Sequence, residues 1–277
     1  MVRNRKYLIV PLLIVLVAVL ALVGCFYIVY AFTLHNLQEV KNPKVTFDVE
    51  EYGKVTIELY PEYAPNTVVN FIKLAQKGYY NGKVVYGKDS ISEYWGRTEE
   101  GTVDAPKLST IDESVDPDSD DNYEYEIKGE FFANKFNKNT LPHGKGIVSM
   151  VRANYTSQIS SLVDESYNSA NSQFTIILSD DVKELNGMYA AFGKVVEGMD
   201  VVEKMYDLAI QTDENNETDN LLASDSSSST IQKFAEFPII NSTTVETYGV
   251  DYGMPEVEKA FDYSSYLYQL MSRYYSE

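Results

Sequence analysis

The chain has 277 residues, with 23 lysines and arginines against 41 aspartates and glutamates and a formal net charge of −18. So acidic a polypeptide excludes nucleic acid as a partner and has no electrostatic hold on an anionic membrane surface. A single cysteine, Cys25, excludes an intramolecular disulfide, and two histidines, His35 and His143, supply no zinc ligand set, so neither a metal nor another cofactor is expected.

Residues 1–6 carry Arg3, Arg5 and Lys6 and precede an almost wholly apolar run over 7–34, longer than the roughly 20 residues that cross a bilayer. Positive charge on the short side predicts a cytoplasmic N-terminus, with everything beyond a linker at 35–43 outside the cell membrane. The same run contains Leu22, Val23, Gly24 and Cys25, similar to a bacterial lipobox, which makes Cys25 a candidate for lipidation. The apolar character that continues through 26–32 favours an uncleaved single-pass helix over a lipid anchor, and a fully cleaved secretory signal fits least well because the run is long for one.

Outside the anchor, residues 55–60 alternate as a strand. A turn with Pro61 and Pro65 then leads into a helix with Val69, Ile72, Leu74 and Ala75 near one side, Asn66 or Thr67 suited to its start and Gly78 to its end. Residues 99–126 hold eleven acids against one lysine, and 212–230 are acidic and serine-rich without a basic residue; both are predicted to be solvated loops. Asp116, Asp118 and Asp120 alternate as at the start of an EF-hand. Asp121 and Ile127 stand where that loop needs glycine and glutamate, so no specific calcium site is expected. Further on, 173–178 read as a buried strand, 185–187 as a turn, 190–196 as a second strand, and Val201, Val202, Met205 and Leu208 as the apolar face of a helix. Residues 236–250 supply a last strand. The tail over 251–277 is predicted to be an amphipathic helix whose Val257, Phe261, Leu267 and Met271 cover part of its own domain.

Three blocks, 55–82, 126–153 and 168–205, stand in the order found in the cyclophilins, the β-barrel peptidyl-prolyl cis-trans isomerases, and most resemble the bacterial members. The resemblance implies a mainly β domain over 44–250: a closed eight-stranded antiparallel barrel capped by two helices, with 99–126 and 212–230 as insertions and the N-terminal transmembrane helix in front. It also implies proline-containing polypeptide segments as substrates, here those of exported or envelope proteins at the outer face of the membrane.

Such an enzyme needs neither nucleophile nor cofactor. The X-Pro amide is conjugated, with a barrier of about 18–20 kcal/mol, and an arginine aimed at the prolyl nitrogen favours its pyramidal, deconjugated form while an apolar pocket seats the ring. In active members the residues after the YYNG-like turn read approximately Phe-His-Arg and then Phe-Met-x-Gln-Gly-Gly. Aligned without gaps, this chain has Val85, Tyr86 and Gly87, then Ser92, Glu93, Tyr94, Trp95, Gly96 and Arg97, so Gly87 replaces the arginine and Trp95 the glutamine. Thr175 replaces a pocket phenylalanine and Glu184 a frequent tryptophan or histidine, whereas Met150, Gln173, Phe174, Leu185 and Tyr189 match groove positions. Two arginines offer a rescue: Arg97, two residues from Trp95 and so expected on its strand face, and Arg152, after the 146–151 strand. His35 and His143 are expected to face solvent. Two functions stay open: an isomerase of exported proteins with weak or lost catalysis, or a non-catalytic peptide-binding module on the same fold.

Overall fold

The computed structural model describes residues 6–36, 41–211 and 231–274. The acidic run 212–230 and linker residues 37–40 lie outside the described residues, as does the side chain of His35. The chain divides into two compact units, residues 1–41 and 42–277. The first is a helix, α1 (Lys6–Asn36), whose 11–30 stretch has a mean hydropathy of 3.1 and no buried residues, long and apolar enough to cross a membrane. Cys25 lies exposed on it.

The second unit is built on one curled antiparallel sheet. In chain order its elements are β1 (Lys44–Val49), β2 (Gly53–Leu59), α2 (Pro65–Gln76), β3 (Val84–Lys88), β4 (Ser92–Arg97), α3 (Leu108–Ile111), β5 (Tyr125–Glu126), β6 (Ile147–Met150), α4 (Val163–Tyr167), β7 (Phe174–Ile177), β8 (Ala191–Glu197), α5 (Met199–Tyr206), β9 (Gln232–Lys233), β10 (Ile240–Glu246), β11 (Glu258–Lys259) and α6 (Tyr263–Tyr274). The sheet runs β10, β1, β2, β8, β6, β7, β4, β3, β9, and β11 pairs separately with β5. In place of the eight strands expected, the sheet has nine among the described residues, because a two-residue strand, β9, adds to the free edge of β3. On its way into β10 the chain also touches the start of β3, where Ile240 N–H donates to the Lys83 carbonyl at 2.8 Å and Val85 N–H to the Pro238 carbonyl at 2.9 Å.

Alternation along the strands sends one side inward, and β1 buries Val45, Phe47 and Val49 fully while its intervening residues stay partly exposed. Inside, Phe47, Phe71, Tyr80, Trp95, Phe174 and Phe192 form a cluster with ring centroids 4.9–6.1 Å apart, within the range in which aromatic pairs attract beyond their area burial. Tyr80 keeps its hydroxyl satisfied by donating to the Ser172 carbonyl at 2.9 Å.

The start of α2 is capped from a distance and not by its own Asn66 or Thr67. Pro65 occupies the first turn, and the carboxylate of Glu130 accepts from Asn66 N–H (3.0 Å), Thr67 N–H (2.8 Å) and the Thr67 hydroxyl (2.7 Å). The 126–153 block and α2 are therefore locked together by one side chain. At the other end Gly78 takes φ +68, the left-handed conformation that stops the helix. The 99–126 insertion differs from the solvated loop expected. Ile111 and Tyr125 are buried in the main core, Leu108 and Tyr123 pack against it, and the Tyr125 hydroxyl donates to Asn70 at 2.8 Å. Four apolar side chains spaced through an acidic stretch suffice to seat it, and of its carboxylates Glu126 is buried with them. The tail begins with β11, and only 263–274 is the amphipathic helix expected, with Tyr268, Leu270 and Met271 exposed.

Candidate functional site

The groove positions inferred from the sequence lie on β3, β4, β6 and β7 and their connections, and the sheet sorts them by face. On β4, Glu93 and Trp95 point into the core while Ser92 and Tyr94 point outward. Trp95 pairs across β7 with Phe174, Tyr94 with Thr175 and Ser92 with Ile177. Trp95 and Phe174 stack at 5.7 Å inside the main core, where Met150 also lies. The structure thus places Glu93, Trp95, Phe174 and Met150 within the sheet's interior. Ser92, Thr175, Gln173, Leu185 and Tyr189 remain at the outer face, each less than a tenth exposed. Glu184 is exposed.

Glu93 is fully enclosed. Its Oε2 accepts from Trp95 Nε1 at 3.0 Å, its Oε1 has no hydrogen-bond partner, and burial pushes its carboxyl well above the usual carboxylate range. Neutrality is the form such a site accommodates, because an ion here would lack compensation.

Gly87, which the sequence resemblance aligns with the family's arginine, sits under the backbone of β9. A Cβ built there would stand 2.4 Å from the Gln232 carbonyl oxygen and 3.2 Å from the Lys233 Cα. No side chain fits without displacing β9. Beside it the outer face is filled by Val84, Tyr86, Tyr94, Val151 and Ile231, a second apolar cluster flanked by Phe237 and Ile239. The Tyr86 and Tyr94 rings lie 5.9 Å apart, and Asp89 holds Tyr94 by accepting its hydroxyl at 2.8 Å while also taking the amides of Ile91 and Ser92. Ile231 is supplied to this cluster from far along the chain, and no local pattern signals it.

Arg97 does not share a face with Trp95. Gly96 takes φ +101 and the β3–β4 register slips between Val84 and Val85, so the alternation breaks and Arg97 turns outward. Its guanidinium lies 4.0 Å over the Tyr86 ring, Nε donates to Gln173 Oε1 at 3.2 Å, and Nη1 donates to the Gly101 carbonyl at 3.0 Å. An arginine thus meets Gln173 from β4, the strand paired with the β3 that carries Gly87. Arg152 is held otherwise, with its guanidinium 4.6 Å from the Tyr189 ring, 5.0 Å from Tyr167 and 5.6 Å from Phe131, and with Nε donating to the Met188 carbonyl.

His143 is buried, contrary to the solvent-facing role expected of it. Nε2 lies 3.0 Å from Ser149 Oγ, Nδ1 lies 3.2 Å from Asn186 Oδ1, and the same amide oxygen accepts the His143 backbone N–H at 2.8 Å. Burial pushes the ring down to about 4, so it is neutral at pH 7. It ties the loop before β6 to the turn at 185–187 beneath the groove; Ser149 Oγ faces this ring from within the sheet, 3 % exposed.

The sheet order and the outer groove together define a cyclophilin-like domain. A family model of the cyclophilin type peptidyl-prolyl cis-trans isomerase/CLD matches residues 44–224, and the chain belongs to this family. It is similar to a probable peptidyl-prolyl cis-trans isomerase of Brucella suis, 33 % identical over 159 residues, covering 55 % of this chain and 66 % of the relative. The peptidyl-prolyl cis-trans isomerase-like 1 of Aspergillus niger is 31 % identical over 161 residues, covering 58 % of this chain and 80 % of that one. A peptidyl-prolyl cis-trans isomerase-like 2 of Gibberella zeae is 29 % identical over 185 residues, but the chain spans only 26 % of its length. Among solved structures, a Cryptosporidium parvum cyclophilin type peptidyl-prolyl cis-trans isomerase, crystallised in the presence of the dipeptide Ala-Pro, shares the fold with a TM-score of 0.50 at 19 % identity, over 73 % of this chain and 98 % of that one.

Proposed function

We propose that this domain, held at the outer face of the cell membrane by α1, engages proline-containing extended segments of exported or envelope proteins and isomerises them weakly or not at all. The observation that carries the reading is the closure over Gly87: the arginine that would bond the prolyl nitrogen is missing, and β9 occupies the space its side chain would need. The groove's other losses agree with this, since Ser92 and Thr175 stand where an apolar seat for the ring is wanted. What survives on the β6–β7 side, Gln173, Leu185 and Tyr189, is suited to holding a peptide, and the Cryptosporidium structure, obtained in the presence of Ala-Pro, points to the ligand class. A protease-coupled isomerisation assay on the chain in detergent, alongside its residues 42–277, tests this. Turnover lower than that of an ordinary family member by a factor of about 10²–10³ or more is expected, the cost of losing one transition-state hydrogen-bond donor; ordinary turnover overturns it.

A second reading rests on Arg97, whose bond to Gln173 brings a guanidinium to the groove floor. Under that reading the activity is substantial, disappears in Arg97→Ala and survives in Arg152→Ala.

A further inference from the structure

Where the groove runs past Gln173, the C-terminal segment forms a wall that the sequence resemblance does not account for. Strand β11 pairs with β5, Ala260 N–H donates to the Glu124 carbonyl at 2.8 Å, and Phe261 N–H donates to Glu126 Oε2 at 3.1 Å. The Phe261 ring meets Tyr155 edge-on at 5.3 Å, and Tyr263 stacks on the other side of the same contact at 4.8 Å, its hydroxyl donating to Gln158 at 2.6 Å. Between this strap and the groove lies a cavity of about 250 Å³, lined among others by Val151, Gln173, Tyr155, Phe261, Glu124 and Glu126.

We propose that this cavity is a subsite for a lysine or arginine side chain of the bound segment, with the strap as its outer wall. The inference rests on the peptide-binding reading above. The cavity's sides are apolar and aromatic, which suits a methylene stem, and two carboxylates stand at it to meet a cationic head. The one basic residue of the lining, Arg152, has its guanidinium turned into the rings of Tyr189, Tyr167 and Phe131. Beyond Phe261 a second cavity of about 390 Å³ shares Glu126 with the first and adds Asp164, Glu165, Glu258 and Asp262 against Lys259, so the field across the strap is negative. Burial raises the Glu126 carboxyl to about 7, with the nearby Glu124 and Glu258 adding to the effect. An arriving cation restores the charged form that burial disfavours, whereas an apolar side chain would deepen the desolvation.

Fluorescence anisotropy on the full-length chain in detergent tests this with proline hexapeptides carrying lysine, alanine or glutamate in turn at each position flanking the proline. Lysine at one position is expected to tighten binding at least tenfold over alanine, with glutamate weaker than alanine. The preference should fall to within threefold in Glu124→Gln/Glu126→Gln, a pair that keeps the acceptor for Phe261 N–H, and should weaken in Phe261→Ala, with melting curves checking that both variants fold. Proline peptides that bind with no lysine preference, or a preference unchanged in the double variant, overturn the subsite while leaving the groove reading in place. Lysine-dependent binding that persists when the proline is replaced by alanine overturns the groove reading and keeps the subsite, and absence of binding by every peptide overturns both.

Discussion

The two faces of the β3–β4 hairpin follow different rules. Inward, Val85 and Trp95 join Phe47, Phe71 and Phe174 in the close packing of the main core. Outward, the same two strands present Tyr86, Tyr94, Arg97 and a bare Gly87, packed under chain that returns from residue 231 onward. The inward side chains belong to the main core, and the outward ones form a second small apolar cluster.

The comparison breaks most visibly at Trp95. Read as the family's groove glutamine it should tolerate Trp95→Gln, and the exchange should even improve the site. Placed inside the sheet, with no exposed surface and a stacked Phe174, it should not. Emptying a site of that size costs about 3–5 kcal/mol, and the amide that replaces the indole would be a buried polar group beside Glu93. Thermal or urea unfolding of residues 42–277 should show the loss. Native-like stability in Trp95→Gln would return Trp95 to the groove.

This residue also marks where the sequence stops being legible. The three family blocks, the strands on either side of Gly187, the α2 stop at Gly78 and the α5 face are all local patterns, and local patterns survive reading one residue at a time. The placement of Arg97 relative to Trp95 failed because a two-residue rule assumes unbroken alternation, and Gly96 at φ +101 breaks it. His143 failed for another reason: its partners, Ser149 and Asn186, are polar residues ordinary in isolation, and only the fold brings them within 3.2 Å. The covering of Gly87 and the strap at Phe261 were beyond reach because both depend on chain more than a hundred residues away. The acidic insertion misled through its charge, which concealed Ile111 and Tyr125.

The groove side and the C-terminal strap should also part company with pH. Beneath the groove, burial holds His143 at about 4 against an ordinary 6.5, so the stability tied to its neutral form is present above 6.5 and lost as pH falls toward 4. On the strap, burial holds Glu126 at about 7 against 4.5, so the stability tied to its neutral form is present below 4.5 and lost as pH rises toward 7. Each contributes up to roughly 3 kcal/mol, at about 1.4 kcal/mol per pH unit, and with opposite slopes the two largely offset each other in the parent. Unfolding free energies measured from pH 4 to 7.5 separate them. The advantage of the parent over His143→Asn should shrink on acidification, and Glu126→Gln should gain on the parent as pH rises. Parallel curves for the parent and both variants would mean that neither group is buried as described.

The smallest effect expected is at Gly87, and it bears most directly on the outer face of the hairpin. The three atoms nearest a new Cβ there are all backbone: the Gln232 carbonyl oxygen and carbon and the Lys233 Cα, at 2.4, 3.1 and 3.2 Å. Backbone cannot rotate away as a side-chain tip can, so Gly87→Ala must push β9 off the sheet or strain β3. Strand β9 is only two residues long and lies at the edge, which limits the damage to its pairing and to the burial of Ile231 and Phe234 beside it. That places the cost in the range of about 1–3 kcal/mol typical of overpacking. Hydrogen exchange localises it, because Phe234 N–H donates to the Tyr86 carbonyl at 3.0 Å and should lose protection in Gly87→Ala while the amides of β6 and β7 keep theirs. Gly87→Arg should show the same local opening and no gain in isomerase turnover, since a guanidinium reaching outward would have to pass through the strand that it displaces. If Gly87→Ala melts with the parent and Phe234 stays protected, β9 does not seal this position, and the missing arginine would be a substitution that Gly87→Arg alone could reverse.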